Sequence, residues 1–119
     1  MTDHLADVRR YDALADEVVV GRIVKHLGVA LRNQDSATVA CRQPAELDRV
    51  AKKWCGKKLG ADPERAMNVI ELVCETMAGD RFKNRVTFYY LCAKHLDRLS
   101  LLNPETVMDG DGQVRVPAQ

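Results

Sequence analysis

Apolar residues recur at every third or fourth position over most of the sequence, the period of helices that each bury one face. Asp3 is placed to cap a first helix, with Leu5, Val8 and Tyr11 or Leu14 along one side. Asp12 or Asp16 opens a second, whose stripe is Val19, Ile23 and Leu27 beside Val20 and Val24. The β-branched run Val18-Val19-Val20 and the interior Gly21 would also suit a strand. The i, i+4 rows extend past that run and favour the helix, with Gly28 at its end. The polar stretch Arg32 to Arg42 offers a helical turn or two at Thr38, Val39 and Ala40, capped by Asp35 or Ser36.

Two start signals follow. Gln43-Pro44 sets proline at a first helical position, where its fixed φ and missing N–H do no harm. Leu47, Val50, Ala51 and Trp54 then succeed it at i, i+3, i+4 and i+7, Leu59 falls in the last turn, and Gly60 suits a left-handed stop. Asp62-Pro63 repeats the signal before the stripe Met67, Ile70, Val73, Cys74 and Met77, ended by Gly79. Asp80 is then expected to cap a last long helix. It carries two adjoining stripes, Phe82, Val86, Tyr89, Tyr90, Ala93 and Phe88, Leu91, Cys92, His95, Leu99. A helix apolar on most of its circumference is covered on most sides. The predicted fold is therefore all-α: a compact bundle of four to five helices around this C-terminal helix, with Trp54, Ile70, Val73, Tyr89 and Leu91 in the core.

The 119 residues fit one domain, expected over 1–102, with 103–119 as a flexible or loosely docked tail. No apolar run approaches the roughly 20 residues of a membrane span, and the first residues lack the basic-then-apolar segment of a secretory signal. A membrane partner is not expected, and the expected location is the cytoplasm. The net charge of +1 excludes coating of nucleic acid by overall charge alone. It conceals an asymmetry. Residues 49–98 hold 11 basic and 6 acidic side chains, while the segments on either side are each net −2. The basic residues gather as Arg49, Lys52, Lys53, Lys57 and Lys58 on one helix and Arg81, Lys83 and Arg85 at the start of the last. This cluster is either a solvated face or a binding face for an anion, a nucleic acid or an acidic partner. Trp54 is the one aromatic within it and falls on the apolar side, which disfavours base stacking.

Cys41, Cys55, Cys74 and Cys92 are spaced without any CxxC, and no histidine stands at zinc-finger spacing from a cysteine pair. Four free thiols are expected, and neither a metal nor a cofactor. His26, near a helix end, suits the dipole as a cation. Cys92 and His95 share a helical face at i, i+3 and form a conceivable thiol dyad, but no third orienting group can be named. Glu71 and Glu75 read as a solvent face. Asp109-Gly-Asp-Gly lacks the later ligands of a calcium loop and reads as a turn.

Pro44-Ala-Glu-Leu-Asp-Arg-Val, Lys57-Lys58-Leu59-Gly60 and Phe88-Tyr-Tyr-Leu-Cys-Ala-Lys-His95, together with Asp35-Ser-Ala-Thr-Val-Ala-Cys41, resemble a family of small bacterial proteins, domain of unknown function 2853. The resemblance covers about residues 16–100. It implies a compact helical fold and carries over no catalytic residues. The chain departs from the family at Val29, where proline is frequent, and after Leu102. The functional expectation is a non-enzymatic module that binds a protein partner or a second copy of itself. A nucleic-acid or other anion binder using Arg49–Lys58 is the first alternative, and a small thiol enzyme built on Cys92 and His95 the second.

Overall fold

A computed structural model describes residues 3–102, so the expectations of a tail over 103–119 and of a turn at Asp109–Gly112 lie outside the described residues. The predicted caps at the start of the chain are in place. The Asp3 carboxylate accepts from the Ala6 N–H at 3.0 Å and begins α1, His4–Arg9. Asp16 accepts from the Val18 N–H at 2.8 Å and begins α2, Glu17–Leu27. Such caps stabilise a helix by about 1 kcal/mol each. Val19, Val20 and Ile23 are buried on α2, so the β-branched run is helical. Gly28 closes the helix at φ 48° and leads into a 3-10 turn, Gly28–Arg32.

The next stretch departs from the periodicity. Asn33, not Asp35 or Ser36, caps the short α3, Gln34–Ala37. Thr38–Val39 is not helical but forms β1, paired antiparallel to β2, Lys83–Asn84, with Thr38 opposite Asn84 and Val39 opposite Lys83. Two adjacent β-branched residues are stiff at χ1 and sit well in extended chain, and Val39 is buried there. The second strand displaces the start of the last helix. Asn84, not Asp80, is its cap, accepting from the Val86 N–H at 2.9 Å, and α6 runs Arg85–His95. Phe82 therefore lies ahead of the helix. It is 58% exposed, with the Arg81 guanidinium 5.3 Å over its ring.

Pro44 stands at the first position of α4, Pro44–Arg49, as predicted. The helix then widens into nine residues of π-helix, Val50–Lys58. The reason lies in the spacing of its apolar residues. Val50, Trp54 and Leu59, or Val50, Cys55 and Leu59, recur at four and five residues, all of them buried. A 3.6-residue turn would spread these positions around half the helix. An i→i+5 turn gathers them on one side. The widened end is held by the Leu59 N–H bonded to the Trp54 carbonyl at 3.0 Å, and by Ala61 N–H to the Cys55 carbonyl at 2.8 Å. Gly60 follows at φ 72°, the left-handed stop the sequence implies. Asp62 caps α5, Pro63–Thr76, through the Arg65 N–H at 3.1 Å.

α6 is the hub. Its residues from Arg85 to Ala93 are all buried, and it packs against α1, α2, α5 and the π-helix. Trp54, Ile70, Val73, Tyr89 and Leu91 are in the core, joined by Val8, Ile23, Leu59, Met77 and Leu96. The polar groups on so buried a helix are all matched, as burial requires. Thr87 donates to Asp7, the Tyr90 hydroxyl to Asp12 at 2.6 Å, and the Trp54 indole N–H to the Tyr89 carbonyl at 3.0 Å. The architecture is thus a mostly helical globule with one two-residue ladder. Among the described residues no helix is long and apolar enough to cross a membrane.

Candidate functional site

The π-helix sorts the basic cluster. With Val50, Trp54, Cys55 and Leu59 turned inward, Lys52, Lys53, Lys57 and Lys58 are left on the outer side, all exposed. In an α-helix Lys58 would stand well away from Lys53; the wider turn brings it beside Lys53 and Lys57. Arg49 pairs with Glu46 at 3.0 Å and Lys52 with Asp48 at 3.1 Å. Lys53, Lys57 and Lys58 have no carboxylate partner among the described residues. They form a face of uncompensated positive charge.

His26 lies at the margin of this face, its ring centroid 5.0 Å from that of Trp54. Burial, and then the charge of Lys58, push the imidazole below its ordinary value. The shift runs against the cationic helix end that the sequence suggests.

The other three residues of the predicted basic face are placed differently. Arg85 is buried, not displayed. Its guanidinium pairs with Glu46, donates to the Thr38 carbonyl at 2.9 Å and to the Ser36 carbonyl at 2.6 Å, and lies over the Tyr89 ring. It is a structural clamp between α6, α4 and the α3–β1 segment. Nothing in local spacing announces this, because Glu46 and Arg85 are 39 positions apart. Arg81 and Lys83 instead line a cleft of about 580 Å³, together with Arg42, Asp80, Cys41 and Cys74. None of the π-helix lysines borders it. Asp80 is held by Arg10 at 2.6 Å and by the Tyr11 hydroxyl at 2.8 Å, and Lys83 donates to the Asp80 carbonyl at 3.0 Å. Arg42 has no ion pair among the described residues.

The floor of this cleft corrects the cysteine reading. Cys41 and Cys74 are joined by a disulfide, with Cα atoms 6.0 Å apart, which ties the turn before α4 to α5. Only Cys55 and Cys92 are free, and both are fully buried. Burial, and then the neighbouring Cys55 thiol, push the Cys92 thiol well above its ordinary value. His95 is exposed at the end of α6. One turn thus carries Cys92 inward and His95 outward. Glu71 and Glu75 are exposed, as their spacing predicts.

Residues 3–100 match the family model described as Protein of unknown function (DUF2853). No curated protein matches the chain.

Proposed function

The chain belongs to the DUF2853 family, and we propose that it serves as a non-enzymatic binding module whose contact surface is the lysine face of the π-helix. The observation that carries this reading is the set Lys53, Lys57 and Lys58, exposed together on a helix whose opposite side is anchored by Trp54. Unpaired like charges on a rigid element repel one another, and an acidic partner relieves that repulsion while steering its own approach. The partner class is an acidic protein surface. Nucleic acid is the second reading. It is disfavoured because the aromatic among the lysines, Trp54, is 1% exposed and offers no ring to a base.

The test uses poly-L-glutamate as the acidic probe at low salt. Wild-type protein is expected to bind it with an affinity that falls as salt rises. The double reversal Lys53→Glu/Lys57→Glu is expected to weaken binding by about tenfold or more, since each reversed contact is worth roughly 1 kcal/mol in water. Affinity unchanged by the reversal would refute the lysine face. Retention of DNA or RNA oligonucleotides at physiological salt would transfer the face to nucleic acid.

A further inference from the structure

The cleft beside Cys41 and Cys74 combines three properties that the lysine face does not use. Its volume of about 580 Å³ is that of a site for a small molecule. Both half-cystines line it and both are only half-buried, so the disulfide is not sealed in the core. Its rim carries Arg42, Arg81 and Lys83, against one carboxylate, Asp80, whose oxygens are already taken by Arg10 and Tyr11. Exchange at a disulfide depends on access for the attacking sulfur and on how well the departing sulfur carries its charge. Cations beside the bond assist twice, by drawing in an anionic thiol and by stabilising the thiolate that leaves. Cys55 and Cys92 provide the contrast, since both sulfurs are sealed in the core.

We propose that this cleft is a thiol–disulfide exchange site for small carboxylate-bearing thiols of the glutathione type. The incoming thiolate forms a new S–S bond to one of the two sulfurs. The Cys41–Cys74 bond breaks, and its electron pair leaves on the other cysteine as a thiolate in a cleft that Arg42 and Arg81 also line. A second small thiolate attacks the small-molecule sulfur of the mixed disulfide and releases the remaining cysteine. Two small thiols are thereby oxidised to one disulfide. The protein disulfide takes up the two electrons, and the two thiol protons end on Cys41 and Cys74. The reverse sequence, started by the small disulfide, closes the bond again.

The experiment treats the full-length oxidised protein with glutathione and, separately, with uncharged 2-mercaptoethanol at equal thiolate concentration. Mass spectrometry of acid-quenched samples follows the mixed disulfide and the freed cysteines, and circular dichroism checks that the fold persists. Glutathione is expected to open the bond faster per thiolate by about fivefold or more, the weight of one ion pair at contact in water. That preference disappears in Arg42→Glu/Arg81→Glu, and in the wild-type protein at 1 M salt, where the screening length is about 3 Å. The salt arm holds even if the double variant fails to fold. Modification is confined to Cys41 and Cys74. Equal rates for the two thiols, a preference that survives both charge reversal and salt, or opening only in denaturant would each overturn the proposal.

Discussion

Arg85→Met is expected to cost about 3–5 kcal/mol in urea unfolding, the penalty for breaking a buried ion pair from one side. The substitution keeps an apolar stem of similar length, so packing is largely retained. What it removes is the partner that the buried Glu46 carboxylate faces inside the protein and the donors to the Ser36 and Thr38 carbonyls. Arg49 also reaches Glu46, but from the solvent side, where it is 61% exposed and holds the carboxylate weakly. The double variant Glu46→Leu/Arg85→Met strands neither charge. It is expected to be more stable than Arg85→Met alone, with a coupling above about 1 kcal/mol. A single variant within 1 kcal/mol of wild type would show that Arg85 is not the clamp between α6, α4 and β1 described above.

Trp54→Ala is the second large effect, again about 3–5 kcal/mol, from the lost burial of an indole and the cavity that remains. Trp54 is 1% exposed, stacks on Tyr89 at a centroid distance of 4.7 Å, and is the contact through which the π-helix grips α6. Trp54→Phe retains most of the apolar contact and gives up the hydrogen bond to the Tyr89 carbonyl, so its cost is expected to be nearer 1 kcal/mol. Chemical denaturation of the two variants separates packing from hydrogen bonding. Equal losses in both would place the energy in the indole N–H and not in the ring.

The helices that announce themselves in the sequence are those that begin at a cap and repeat their apolar residues by the α period. Asp3, Asp16, Pro44 and Asp62-Pro63 all mark true starts, and Gly28 and Gly60 true ends. What escapes has no periodicity to display. Two-residue strands cannot alternate long enough to be read, so β1 and β2 look like helix margin, and Phe82 is counted into a stripe it never joins. The π-helix satisfies an α template over its first seven residues, and only the distance from Trp54 to Leu59 betrays the wider turn. The pairing of Lys53 with Lys57 is legible because both lie on one element, whereas the place of Lys58 beside them needs the wider turn. The Glu46–Arg85 clamp and the Cys41–Cys74 bond are not legible, since each joins residues more than 30 positions apart and cysteine spacing does not encode pairing. Arg42 stands next to Cys41 in the sequence, and that adjacency was the one local hint of the cleft.

The lysine-face reading depends on how the segment after α4 is wound. The five-residue return puts Trp54 and Leu59 inside and leaves Lys53, Lys57 and Lys58 together outside. Scalar couplings measured across hydrogen bonds by NMR on isotope-labelled protein report donor and acceptor pairs directly. The Leu59 amide is expected to couple to the carbonyl of Trp54, its partner at 3.0 Å. Coupling to the carbonyl of Cys55 instead would mean an ordinary α turn, would swing Lys58 away from Lys53, and would dissolve the face on which the proposed function rests.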